Sequence, residues 1–204
     1  MRRFVVLVLA VVFTFSCCCL VNATGMDRSY LFSMDTAEEV AKFDNDNTGA
    51  KIELSREVVR QGSASLKITP SGKSPETKIA VDIAGDTLSA WIGNDALAVH
   101  VFIPEKMKVA PNSFFLGMAD LSDGWAWVDG VFPRVEVKPG WNDIVYTLSG
   151  AMKNVKEGGH YKIYLSFFAV DESNAKVPLA EPFFVDGIRA EKLDDAGSTA
   201  SGGP

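Results

Sequence analysis

Cysteine is missing from almost the whole chain. The three present, Cys17, Cys18 and Cys19, stand side by side near the N-terminus, and residues 24–204 hold none. That stretch has no disulfide framework, no zinc–thiolate site and no thiol nucleophile. Histidine is nearly as scarce. His100 and His160 are the only two, thin material for a histidine-rich metal site or a Ser-His-Asp triad. No G-x-S-x-G occurs; Gly62-Ser63-Ala64-Ser65 does not match it. Gly72-Lys73-Ser74 resembles a P-loop ending, but Lys67 stands where the upstream glycine is needed. Basic charge is outnumbered: 20 Lys and Arg face 26 Asp and Glu, a net charge of −6. Without residues 1–23, which carry Arg2 and Arg3 and no acid, the net is −8. Nucleic acid and anionic membrane both require clustered Lys and Arg, so neither is the expected partner. Neutral sugars or calcium suit such a surface better.

Long apolar runs are also lacking, with one exception. Arg2 and Arg3 precede an apolar run from Phe4 to Val21, and Val21-Asn22-Ala23 forms a small-residue cleavage pattern. This reads as a secretory signal over residues 1–23, with a secreted, periplasmic or extracellular product. The run touches the lower limit for a membrane span, so a retained signal anchor is the alternative. Lipid attachment at one of the three cysteines is another, although Thr14 occupies the position where a lipoprotein signal carries leucine. About 180 residues then remain, enough for one domain with a substantial core.

What the chain has in abundance is period-2 alternation in short runs. Residues 50–59, 64–70, 77–83, 96–104, 113–121, 124–130, 134–140, 141–148, 161–170 and 182–192 all read as strands. Turn signals separate them, among them PSGKSP (70–75), KEGGH (156–160) and DESN (171–174). Only DTAEEVAKF (35–43) reads as a helix, with Glu38 and Glu39 in its first turn. The pattern predicts an all-β antiparallel sandwich or jelly roll over residues 26–192 with one short N-terminal helix. The tail, residues 193–204, is low-complexity and is expected to be disordered. Alternation puts Tyr161, Ile163, Leu165, Phe167 and Ala169 on one face, and Lys162, Tyr164, Ser166 and Phe168 on the other. It also puts Leu97, Val99, Val101 and Ile103 inward, with His100 and Phe102 away.

The order of motifs carries a resemblance. Met34-Asp35 is followed by G-S-A-S-L-K-I (Gly62 to Ile68), P-G-W-N-D-I (Pro139 to Ile144) and F-F-V-D-G-I (Phe183 to Ile188). Over residues 30–192 this resembles the galactose-binding-like β-jelly-roll superfamily, which includes many carbohydrate-binding modules of secreted polysaccharide-degrading enzymes. Members often carry a structural calcium. The resemblance implies metal ligands at Asp35, the Arg60–Gly62 backbone and Asp186. Calcium takes six to eight oxygens in mixed carboxylate and carbonyl shells. The competing reading has Asp35 capping the short helix and Asp186 solvated at a strand end. DNDN (44–47) lacks the EF-hand spacing and reads as a turn.

The stretch LSDGWAWVDG (121–130) holds the strongest functional clue. On a regular strand Asp123, Trp125, Trp127 and Asp129 share one face, and Gly124, Ala126, Val128 and Gly130 the other. Either both indoles are buried, each needing a partner for its N–H, or Ala126 and Val128 pack inward and the strip faces solvent. Two carboxylates on the tryptophan face are hard to bury unpaired, which favours the outward reading. Aromatic rings stack on the C–H faces of a pyranose, and carboxylates accept from its hydroxyls. Tyr164 and Lys162 are the expected neighbours; Trp91 and Trp141 are expected to be core or edge packing.

The sequence therefore predicts a secreted, non-catalytic carbohydrate-binding domain whose partner is a polysaccharide or glycan. The alternatives are a structural or protein-interaction sandwich without a glycan ligand and a small polysaccharide-active enzyme. Asp123 and Asp129 lie roughly 20 Å apart on an extended strand, too far to act as a glycosidase pair.

Overall fold

A computed structural model describes residues 29–128 and 133–193. The expected signal segment, Asp129 and most of the tail lie outside the described residues. The first sheet contains β1 (Ser29–Phe32), β2 (Lys51–Ser55), β3 (Ser65–Thr69), β5 (Ala96–Ile103), β9 (Gly140–Thr147) and β12 (Phe183–Glu191). It runs β2-β3-β12-β5-β9, and β1 pairs with β12 where β3 leaves off. The second contains β4 (Thr77–Ile83), β6 (Ser113–Asp120), β7 (Ala126–Trp127), β8 (Val135–Glu136), β10 (Tyr161–Val170) and β11 (Lys176–Val177). Its body is β4-β10-β6, with the two-residue strands β11, β7 and β8 at the margins. The pairings between these strands are all antiparallel, and the result is the expected all-β sandwich.

Alternation builds the layer between the sheets. Ile79, Val81 and Ile83 of β4, Phe114, Leu116 and Met118 of β6, and Ile163, Leu165 and Phe167 of β10 meet Leu66, Ile68, Val99, Val101, Phe183 and Val185. Phe167 contacts Phe183 across the sheets, 4.5 Å between ring centroids. The opposite faces of β4, β10 and β6 form the outer surface of the second sheet.

Among the described residues three short helices join the strands: α1 (Ala37–Val40), α2 (Gly85–Trp91) and α3 (Gly150–Lys153). The sequence reading missed the last two. α2 lacks a side-chain N-cap; it is held by burying Leu88 and Trp91, whose Nε1–H donates to the Met152 carbonyl at 2.9 Å. α1 is capped by Thr36, which accepts from the Glu39 N–H at 3.2 Å, so Asp35 is not the cap. The DNDN segment is a turn, with Asp44 Oδ1 accepting from the Asp46 N–H.

Candidate functional site

The outer face of the second sheet is where the two tryptophans stand. Trp125 is 56% exposed and Trp127 51%. β7 is held to β6 through the pairs Ala119↔Trp127 and Asp120↔Ala126, and the Val128 N–H donates to the Met118 carbonyl. Val128 packs inward as the outward reading requires, but Ala126 is exposed, because the strand has only two residues rather than seven.

Tyr164 fixes both indoles from below. Trp125 Nε1–H donates to Tyr164 Oη at 3.1 Å, and the Trp127 ring lies 5.2 Å from the Tyr164 ring. The indoles themselves meet at 4.9 Å and 75°, an edge-to-face contact. Tyr164 is buried with Ala80 and Ala119 around it. Trp127 reaches Tyr164 because Gly117 has no side chain. A Cβ there would stand 3.1 Å from Trp127 Cζ3 and 3.1 Å from Phe115 Cε1. Aromatic pairs of this kind contribute about 0.5–1.5 kcal/mol each beyond their buried area.

From Trp127 a groove of about 370 Å³ runs over Tyr164, Ser166 and Phe168, with Phe115 on its floor and Arg134 and Lys176 at its end. Ser166 is only 1% exposed, and its Oγ has no hydrogen-bond partner among the described residues. Phe115, Gly117, Arg134, Ser166 and Lys176 were not singled out from sequence. The alternation of β10 already put Ser166 and Phe168 beside Tyr164; Arg134 opens the 134–140 run, which reads as a strand without marking a site, and Lys176 lies in a two-residue strand that carries no periodic signal.

The other expected site residues are distributed differently. Asp123 is exposed in the turn before Trp125. Lys162 shares the outer face, but its ammonium is bound to Asp44 at 2.8 Å and Asp82 at 3.5 Å. The Asp44 hydrogen bond holds its pKa above the ordinary lysine value. Trp91 is buried, and Trp141 packs against Phe102 on the outer face of the first sheet.

Asp35 and Asp186 converge on the 60–64 loop. Asp35 Oδ1 accepts from the Ser63 N–H at 2.5 Å and the Ala64 N–H at 3.1 Å. Asp186 Oδ2 accepts from the N–H groups of Arg60 and Gln61 at 2.7 and 3.0 Å. Gly62 is required between them: its φ is +68°, and a Cβ would stand 2.3 Å from the Asp35 carboxylate. Met34, at φ 64° and fully buried, turns Asp35 toward the loop, a conformation that costs a non-glycine residue roughly 1–2 kcal/mol. Asp186 is 0% exposed in the middle of β12, not solvated at a strand end, and among the described residues its Oδ1 has no hydrogen-bond partner. Burial pushes the Asp186 carboxyl up, and the nearby Asp35 charge adds to this against the two N–H groups. A buried carboxylate oxygen left without a donor beside a second carboxylate fits a cation. The loop groups contacting the two carboxylates are N–H donors, so any backbone oxygens must come from elsewhere in the loop.

No protein-family model and no curated protein sequence matches the chain. Its fold does match solved structures. One, from a study of the promiscuous specificity of carbohydrate-binding modules of the β-sandwich superfamily, is 18% identical with a TM-score of 0.52. The match covers 84% of this chain and 64% of that one. The C-terminal family 22 carbohydrate-binding module of Clostridium thermocellum Xyn10B is 12% identical with a TM-score of 0.52, covering 80% of this chain and 94% of the module. A family 27 module studied for specific mannan recognition is 17% identical with a TM-score of 0.50, covering 79% of this chain and 95% of that one. The chain has the β-sandwich jelly-roll fold that these carbohydrate-binding modules share.

Proposed function

We propose that this chain is an exported, non-catalytic carbohydrate-binding domain that takes glycan across Trp125 and Trp127. One observation carries the reading: two adjacent indoles are half exposed yet held in place by Tyr164. Large aromatic side chains left in water on a sheet face mark a binding surface. The fold's resemblance to carbohydrate-binding modules supports sugar over other ligands. The shape narrows the target. Rings at 75° do not both lie flat on a planar crystalline surface; they suit a single soluble chain that bends over Trp127 into the groove. The Asp35–Asp186 pair belongs to a calcium that stabilises the fold and takes no part in binding.

The test is affinity gel electrophoresis against soluble polysaccharides, with microcrystalline cellulose in a pull-down. Wild type is retarded by at least one soluble glycan and stays off the crystalline surface. Trp125→Ala/Trp127→Ala loses about 2 kcal/mol or more, roughly 30-fold in affinity, as buried aromatic anchors do. A folded wild type that binds no glycan across a broad panel refutes the reading and leaves the protein-interaction alternative.

A further inference from the structure

The end of the groove away from the tryptophans carries charge that the stacking platform does not use. Arg134 and Lys176 both sit over the Phe168 ring, the guanidinium carbon 5.6 Å and the ammonium 4.0 Å from its centroid. The two charges are therefore no more than about 10 Å apart, roughly one Debye length at 0.1 M salt. Among the described residues neither has a carboxylate partner. Lys78, farther along the same groove, differs: it is paired with Asp46 at 3.1 Å and Glu76 at 3.7 Å. Arg134 Nε–H donates to Ser113 Oγ. That bond and the ring fix the guanidinium while leaving its terminal N–H groups for a ligand. Beside them lies the unpartnered hydroxyl of Ser166.

Two like charges on one ring repel each other, and an anion between them relieves this. Arginine matches carboxylate and sulfate oxygens with paired N–H groups, and lysine adds a point charge. We infer that this end of the groove takes an anionic substituent, a uronate carboxylate or a sulfate ester, on the glycan that stacks on Trp125 and Trp127. The inference rests on the proposed glycan site and specifies its ligand. The net charge of −6 sets a limit: a densely charged polyanion is repelled by the rest of the surface. The fitting ligand is a mainly neutral chain with sparse acidic groups.

The experiment compares matched polysaccharides by calorimetry in 50 mM and 500 mM salt. One arm uses glucuronoxylan and its carboxyl-reduced form, the other a sulfated galactan and its desulfated form. Wild type is expected to bind one acidic form about tenfold tighter than its neutralised partner, with the preference shrinking at high salt. The responding arm identifies carboxylate or sulfate. Arg134→Gln/Lys176→Gln, checked for an unchanged melting temperature, binds the acidic and the neutralised member of the pair equally. Equal binding of both members in both arms overturns the inference and leaves the tryptophan platform standing. A preference that survives the double variant also overturns it. Binding to no glycan at all overturns both.

Discussion

Gly117 is the residue on which the placing of Trp127 depends. Its missing side chain lets Trp127 lean across β6 onto Tyr164. Gly117→Val puts a branched side chain into that space. Valine favours strands and the outer face is not the core, so melting should move by no more than a few degrees. Trp127 must rise, which breaks its contact with Tyr164 and changes the 4.9 Å indole pair. The expected result is a loss of about tenfold in glycan affinity with an altered near-ultraviolet circular dichroism spectrum. An unchanged spectrum and affinity would show that Trp127 does not need the gap. The sequence singled out Trp125 and Trp127 but not their support. Alternation left the face of Trp125 and Trp127 undecided, because the deciding contacts come from Tyr164, 39 residues away in the chain.

At the scale of elements, legibility followed strand length. β4 and β10 were read to the residue because they bury an unbroken alternating face. β7 was read as seven residues and is two. Gly124, with φ at +109°, breaks the run on its N-terminal side, and only Ala126 and Trp127 pair with β6. α2 escaped because its sequence, GDTLSAW, carries neither a capping side chain nor a full helical repeat. Its stability is tertiary: Leu88 and Trp91 are buried, and the indole N–H satisfies the Met152 carbonyl in α3. Trp91→Phe keeps most of the apolar volume and leaves that carbonyl without its donor, which costs about 1–3 kcal/mol. For a domain of this size the melting temperature should fall by roughly 2–10 °C, with glycan affinity unchanged because α2 does not line the groove. Stability equal to wild type would mean that packing alone holds the helix.

The whole molecule faces a closure problem that its composition makes acute. With no cysteine in residues 24–204, no disulfide ties the first strand to the last. β1 and β12 pair directly over residues 29–32 and 188–190, and Asp35 and Asp186 then reach the 60–64 loop from the ends of the chain. The sequence named both carboxylates but not the N–H groups they accept, because loop amide directions follow from φ values such as that of Gly62. Calcium at the unpartnered Asp186 Oδ1 would bind the folded state and not the unfolded one. At a free concentration of 100 Kd, such a ligand adds about 2.7 kcal/mol of stability. For about 180 residues that is roughly 5–10 °C in melting temperature. Scanning calorimetry in 1 mM calcium and again in excess EDTA should show this difference. Asp186→Asn should melt lower than wild type and respond to neither additive. If wild type melts at the same temperature with and without EDTA, the clamp consists of the loop N–H groups alone. The calcium then has no place in this fold.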